Sequence, residues 1–244
     1  MNFKLIALAL FLFSSNTILS VHAEISATIK VKVFLQGAIQ ENGTMKTTLN
    51  EKGLLSKEFN NQNLPTNVVD KIDIELRNFA NPSTIAATQK AWLLSDGSIL
   101  DFETAKVPAI TFPNIPAGKY FIAVKHRNHL PLMSGLPIAI GTNPNNISID
   151  FSDIKNLYSK SRFLKLSEKA TMISGDVGDV SNPPSNPRYS IDAIDNFYVS
   201  KDAKAKLQGY INTDLNLDGI VNEADVKLVQ SSSDHLYNFT FPKQ

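Results

Sequence analysis

The 244-residue sequence has no cysteine, so it offers neither a disulfide framework nor a thiol for lipid attachment. Its 24 Lys and Arg nearly balance its 23 Asp and Glu, which argues against a nucleic-acid or anionic-membrane partner. Apart from Leu5–Phe13, no apolar run approaches the length that spans a bilayer. The G-x-S-x-G, H-E-x-x-H and phosphate-loop patterns are also absent. We therefore expect a protein that is not an enzyme.

The first residues predict a secretory signal peptide, 1–23, because Lys4 precedes the short apolar run Leu5–Phe13. Val21-His22-Ala23 places a small residue before the cut, so we expect cleavage after Ala23, with Ala27 as the alternative. Loss of Lys4 takes the formal charge from +1 to 0. The prediction is a secreted or extracytoplasmic protein, at the cell surface or in the periplasm, with no membrane span in the mature chain.

Short strands dominate residues 24–151. Apolar and polar residues alternate between Ile25 and Leu35 and again between Ile72 and Arg77, as in half-buried strands. Ser95–Gly97 and Pro113–Gly118 mark turns. The pattern predicts an antiparallel β-sandwich over 24–151, followed by a linker over 152–174.

Two features of this region invite a functional interpretation. His126 and His129 lie close in sequence, but residues three apart in a strand face opposite ways, so we predict that the tetrad 126–129 caps a strand rather than binding metal. Trp92 could stack on a sugar, but as a lone tryptophan in an apolar strand it is expected in the core.

The segment Asp214–Asp225 has the ligand spacing of a calcium loop. Asp214, Asn216 and Asp218 alternate, Gly219 permits a sharp turn, and the Ile220 carbonyl follows as the next oxygen. Asp225 closes the loop from the start of a helix, where Glu is usual in the EF-hand pattern. An ordinary Asn/Asp/Gly turn before a capped helix is the alternative. We expect Val221 to join this loop to a paired loop through a short β contact.

A second, weaker loop lies upstream. Asp176 and Asp195 align with the first and last ligands of the downstream loop, Asp214 and Asp225, and the Ser190 carbonyl aligns with that of Ile220. Asp179 is a candidate ligand one position out of register, Gly178 stands where an oxygen ligand is expected, and Val180–Arg188 is an insertion. Either the insertion supplies substitute oxygens, or this loop is weak or empty.

The two loop–helix units resemble a dockerin, a calcium-binding module that docks to cohesin domains. The likeness covers 175–234, with an eroded first repeat and a tail over 235–244. Val31–Ala38, Ile74–Arg77, Leu94–Ser98 and Val124–Leu130 resemble a β-module found before dockerin-like repeats in exported bacterial surface proteins. The turn Pro116–Tyr120 is similar to that of carboxypeptidase-regulatory-like sandwiches. The fold class expected is thus mainly β, an Ig-like or carboxypeptidase-regulatory-like sandwich with a small α module.

This resemblance implies Ca²⁺ as the cofactor and a cohesin-like domain as the partner, in a surface or polysaccharide-degrading assembly. The partner-binding positions that it implies are Ala193, Ile194, Glu223 and Ala224. Two alternatives stay open. Either calcium only stabilises a structural or adhesive surface protein, or the chain is a carbohydrate-binding accessory protein.

Overall fold

The computed structural model describes residues 24–141, 146–178 and 189–243. The predicted signal peptide, Asp179 and the insertion Val180–Arg188 lie outside these ranges. The strands are β1 (Glu24–Lys32), β2 (Val68–Asn78), β3 (Ile85–Leu94), β4 (Ile99–Asp101), β5 (Ile110–Pro116), β6 (Gly118–His126), β7 (His129–Met133), β8 (Ile138–Ile140), β9 (Asn146–Asp150), β10 (Phe163–Leu166), β11 (Lys169–Met172), β12 (Tyr189–Ser190) and β13 (Asn238–Phe239). The helices are α1 (Thr48–Glu51), α2 (Leu54–Glu58), α3 (Ala193–Lys204) and α4 (Glu223–Ser233), with a 3₁₀ turn at Ile154–Asn156. No helix among the described residues is long and apolar enough to cross a membrane.

Two sheets form the sandwich. The larger has the strand order β4-β3-β2-β6-β7, with β8 also paired to β6, and the smaller has the order β5-β1-β9. The pairs are antiparallel except that β9 runs parallel to β1. In β2 the alternation predicted from sequence buries Ile72, Ile74 and Leu76 fully, which fixes the face that β2 turns to the core. The predicted fold class, mainly β with a small helical module, is confirmed.

The core of the sandwich contains Trp92, which is 1% exposed. Its ring stacks on Phe102 with the ring centroids 4.7 Å apart, and its indole N–H donates to the Phe102 carbonyl at 3.0 Å. The edge of the Phe59 ring also packs against it. Trp92 therefore offers no exposed ring face on which a sugar would stack.

The segments expected as linker and tail are both packed. Within 152–174, β10 and β11 form a hairpin, and Met172 is fully buried in the sandwich core. Within 235–244, Phe239 and Phe241 are buried, and the guanidinium of the buried Arg77 lies 3.3 Å from the centroid of the Phe241 ring. Met172 thus belongs to the sandwich core, whereas Phe239 and Phe241 pack with Ala123 and Met133 of the larger sheet.

The helical module shares its core with the sandwich. One buried cluster combines Leu130 of β7 and Ile173, which follows β11, with residues of the module. The module contributes to this cluster the buried residues Ile191, Val199, Leu215, Val226 and Val229. Helices α3 and α4 pack against each other within the module.

Candidate metal centre

The loop Asp214–Asp225 is wound around its own side-chain oxygens. The Asp214 carboxylate accepts the N–H of Gly219 at 2.8 Å and that of Asp218 at 3.1 Å. Asn216 Oδ1 also accepts the Asp218 N–H, at 2.9 Å, and Asp218 Oδ1 accepts the Ile220 N–H at 2.9 Å. Gly219 has φ +82, in the left-handed region that favours glycine. The turn thus gathers the first three predicted ligands on the inside of the loop.

Asp225 closes the loop from the first turn of α4. Its Oδ1 accepts the N–H of Leu215 at 2.8 Å and of Asn216 at 3.0 Å, and its Oδ2 accepts the N–H of Asn222 at 2.9 Å. Asn222 is the N-cap, and its side chain accepts the N–H of Ala224 in return. The helix start and the loop start are therefore held together by one carboxylate.

The carboxylates of this loop are poorly stabilised as anions. Burial, helped by the charge of Asp225, raises the pKa of Asp214 to about 6, although the N–H of Gly219 and the Arg127 guanidinium oppose this shift. Burial also raises the pKa of Asp225, and the charge of Asp218 adds to that shift. Asp225 thus repels both Asp214 and Asp218, a repulsion that a bound cation would offset.

The donor set fits a hard divalent cation. Asp214, Asn216, Asp218, Asp225 and the Ile220 carbonyl offer oxygen alone, the ligand that calcium prefers. Within the described ranges no three His, Asp or Glu side chains already converge as a metal-ligating group. Both carboxylate oxygens of Asp214 and Oδ2 of Asp225 accept one backbone N–H each and retain a further lone pair, whereas Asp225 Oδ1 accepts two.

The first loop repeats the closing bonds of the second. Asp195 Oδ1 accepts the N–H of Val177 at 2.8 Å and of Gly178 at 3.0 Å, and its Oδ2 accepts the N–H of the N-cap Asp192 at 2.9 Å. Burial raises the pKa of Asp195. This register places Asp176 where the second loop has Asp214.

The remaining ligand candidates of the first loop, Ser190 and Asp179, do not repeat the arrangement of the second loop within the described residues. Ser190 lies in β12 and its hydroxyl donates to Asp192 at 3.2 Å, while Asp179 lies outside the described residues. A Cβ added to Gly178 would lie 2.9 Å from the ring of Tyr198, so the space at this position is taken by a side chain of α3. Gly178 therefore occupies the position that Asn216 has in the second loop, and the nearby Tyr198 ring leaves no room for a side chain there.

The expectation that Val221 joins the two loops is wrong. Its N–H bonds the carbonyl of Leu207, which follows α3, at 2.9 Å. In the first loop the equivalent Ile191 N–H bonds the carbonyl of Tyr237, which follows α4, at 2.9 Å. Each loop is thus bonded to the segment that follows the helix of the other unit. The packing of the two helices places that segment, and not the other loop, beside it.

The second loop also rests on the sandwich. A Cβ on Gly37 would lie 1.8 Å from the Leu215 carbonyl oxygen, so the two backbones are in direct contact. The amide of Asn128 donates to the carbonyls of Asn212 at 2.8 Å and Asp214 at 2.9 Å. The Arg127 guanidinium donates to the Ile211 carbonyl.

A buried polar network lies behind Asn128. His126 Nε2 bonds Asp70 at 3.0 Å, the two Nδ1 atoms of His126 and His129 are 2.9 Å apart, and His129 Nδ1 bonds Asn128 Oδ1 at 2.7 Å. Burial lowers the pKa of both histidines. Arg127 also bonds Asp70, at 3.1 Å. Neutral imidazoles satisfy these contacts with one proton on His126 Nε2 and one on His129 Nδ1, the latter shared between Asn128 Oδ1 and His126 Nδ1.

His126 and His129 do not lie in one strand, so the prediction that they face opposite ways is wrong. His126 ends β6 and His129 begins β7, and the two are cross-strand partners on either side of a turn. The predicted capping role does not include the hydrogen bonds of Arg127 and Asn128 to the backbone of Ile211–Asp214. No local pattern in the sequence links the tetrad to Asp70 or to Asp214.

The predicted partner-binding residues are exposed at the starts of the two helices. These are Ala193, Ile194, Glu223 and Ala224, and Ile194 is 58% exposed. Phe197 and Tyr198 continue the exposed face of α3 at 64% and 38%. Sequence reasoning missed both, although Phe197 follows Ile194 at helical spacing.

No family model and no curated protein matches the sequence. Among solved structures, the chain is similar to a C-terminal interface mutant of a type II cohesin–X–dockerin complex from Acetivibrio cellulolyticus, with 14% identity and a TM-score of 0.43. It is also similar to an N-terminal interface mutant of that complex, with 13% identity and a TM-score of 0.42. Each match covers 85% of this chain and 95% of the other. Likenesses at this level do not carry an argument about function.

Proposed function

We propose that this protein is a noncatalytic exported calcium-binding protein whose two-unit helical module docks to a partner protein. The observation that carries the proposal is the repeated closing arrangement, in which Asp195 and Asp225 each bind the start of their loop and of their helix. Asp214, Asn216, Asp218, Asp225 and the Ile220 carbonyl would hold calcium in the second loop. Asp176, Asp195 and the Ser190 carbonyl would hold it in the first, together with Asp179 if that residue reaches the site.

Calcium supplies positive charge among carboxylates that otherwise repel one another. The chain's own contribution is to pre-form the second loop: the N–H of Gly219 orients Asp214, and Asp225 ties the loop to the N-terminus of α4. Binding at the loops would therefore further stabilise the starts of both helices.

The exposed face of α3 supports a docking role. Asp195 and Asp225 occupy equivalent positions in the two helices. The exposed Ile194 and Phe197 of α3 therefore correspond to Ala224 and Lys227 of α4. The apolar part of α3 is followed by Lys201 and Lys204, also exposed. A partner with an apolar centre and an acidic edge complements this face. The dockerin resemblance makes a cohesin-like domain the first partner to test.

A second function is favoured by the contacts of the second loop with the sandwich. Gly37 touches the backbone of Leu215, and Leu217 is buried in the sandwich core. In this alternative, calcium stabilises a structural or adhesive surface protein and the helices need no partner. Both functions predict calcium binding, and they differ in the role of the α3 face.

Calorimetric titration of calcium into chelator-treated residues 24–244 tests the shared part. Asp218→Ala removes a proposed ligand of the second loop whose carboxylate accepts one backbone N–H, that of Ile220. Asp176→Ala removes a proposed ligand of the first loop. Two binding events, each lost in one variant, establish two sites. One event lost in Asp218→Ala leaves the second loop alone, and absence of binding in the wild type refutes the proposal.

Docking is tested with a purified cohesin domain on a sensor surface, with calcium and then with chelator. An Ile194→Ser, Phe197→Ser variant should lose binding, while Lys227→Ser on the equivalent face of α4 should keep it. A partner that binds both variants alike excludes the α3 face. Failure of a panel of cohesin domains to bind favours the structural alternative.

A further inference from the structure

Asn128 is fully buried in the turn between β6 and β7, and its amide is committed to the calcium-loop segment. Its Nδ2 donates to the carbonyls of Asn212 and Asp214, at 2.8 and 2.9 Å. An amide that bonds two carbonyls fixes the direction in which both peptides point. The backbone of the first predicted ligand is therefore oriented by a residue of the sandwich.

The same peptide is held from its other side. The carbonyl of Asp214 bonds Asn128, while the N–H of Leu215, in that same peptide unit, bonds Asp225 Oδ1 at 2.8 Å. Gly37 lies against the next carbonyl, that of Leu215. Asn128 and Asp225 thus clamp the peptide that leads from the first ligand to the rest of the loop.

The orientation of Asn128 is itself fixed. Its Oδ1 bonds His129 Nδ1 at 2.7 Å, and His129 contacts His126, which bonds the buried Asp70 at 3.0 Å. Because Oδ1 is taken by His129, a flip of the amide would set its NH₂ group toward the ring nitrogen and an oxygen toward two carbonyls. The network therefore leaves Asn128 one arrangement, with its donors toward the loop.

We propose that Asn128 is a positioning residue for calcium: it pre-forms the first position of the second loop from the sandwich without being a ligand. The inference rests on the proposed function, since it concerns affinity for the same ion. A partner just outside the ligands of a metal site typically changes metal affinity about 10- to 100-fold when it is removed. Calcium affinity is thus set in part by a residue of the β-domain.

The test compares Asn128→Leu with Asn156→Leu. Asn156 also donates its amide to a backbone carbonyl, that of Asp150 at 2.8 Å, but at a partly buried position away from the loop. Calcium Kd is measured by calorimetry and Tm in chelator for both variants. We expect both to lower Tm, but only Asn128→Leu to weaken calcium binding, by about 10- to 100-fold. A folded Asn128→Leu protein with the wild-type Kd overturns the inference.

Two further arms keep the result decisive. If Asn128→Leu does not fold, Asn128→Ser takes its place, because it removes the amide and leaves room for water. If the wild type binds no calcium, the proposed function fails. Amide hydrogen exchange in chelator then still tests whether Asn128 positions the loop. The amides of Leu215 and Asn216 should then exchange faster in the Asn128 variant than in Asn156→Leu, and equal rates overturn it.

Discussion

Asp195 and Asp225 make the same set of hydrogen bonds, each to two backbone N–H groups at the start of its loop and to the N–H of its helix N-cap. The two carboxylates are therefore structural parts of their loops whether or not an ion is bound.

Replacing Asp225 or Asp195 by Ala should destabilise the protein even in chelator. Each change leaves three backbone N–H groups without their acceptor, so we expect the free energy of unfolding to fall by about 3 kcal/mol. Urea denaturation in chelator measures it, with Asp234→Ala, an exposed aspartate at the end of α4, as the control. Variants as stable as the wild type would show that the carboxylates matter only as ligands.

Gly37→Ala should disturb the contact between the sandwich and the second loop. The added Cβ would lie 1.8 Å from the Leu215 carbonyl oxygen, and backbone must move to make room. We expect a loss of about 2 kcal/mol in unfolding free energy. Gly141→Ala is the control, because a Cβ there meets nothing within 4 Å. Equal stability of the two variants would contradict the close approach.

Asp70 should contribute stability that acid removes. Burial opposes its ionisation, but Arg127, His126 and Tyr210 outweigh burial and lower its pKa to about 2 from 3.8. Because the folded pKa is the lower one, this stability is fully present above the unfolded pKa and is lost as pH falls from 3.8 toward 2. The shift corresponds to about 2 kcal/mol.

Asp70→Asn removes this titration. The stability gap between wild type and variant, measured by urea denaturation, should narrow from about pH 5.5 to about pH 2.5. His126, Arg127 and Tyr210 remain in both proteins. Their own titration therefore affects the difference in stability between the two proteins less than it affects the pH dependence of either one. A gap that stays constant over this range would refute the lowered pKa.

The two faces of α3 should respond differently to substitution. Phe197 is 64% exposed and Val199 is fully buried. Phe197→Ser should change the unfolding free energy by no more than about 0.5 kcal/mol, whereas Val199→Ala should lower it by about 2 kcal/mol. Chemical denaturation with calcium present measures both, and a destabilising Phe197→Ser would mean that this ring packs on the protein itself.

Phe239→Ala should destabilise the protein by about 3 kcal/mol, because a 1% exposed ring is lost from the cluster beneath β13. Leu236→Ala is the matched control in the same segment, since Leu236 is 70% exposed. Thermal unfolding compares the two. Equal Tm values would contradict the packing of the C-terminal segment on the sandwich.

Local patterns in the sequence predicted the fold class and the outline of the loops. The alternation in Ile72–Leu76 requires only that one face of a strand be buried, and the spacing from Asp214 to Asp225 requires only that a loop fold on itself. Both are properties of neighbouring residues, which a sequence displays directly.

Contacts between distant segments were not predictable in this way. Asn128 reaches Asp214 across 86 positions and Tyr210 reaches Asp70 across 140, and no periodicity connects them. Val221 was assigned the wrong partner for the same reason, since its neighbour depends on how α3 and α4 pack. The histidine argument failed because it assumed one strand where the chain turns between two.

The bonds from Val221 to Leu207 and from Ile191 to Tyr237 make the two units depend on each other. A gene that encoded either unit alone would lack the carbonyl that completes its own loop, because that carbonyl lies in the sequence of the other unit. Neither unit's loop is therefore complete without the segment that follows the helix of the other unit.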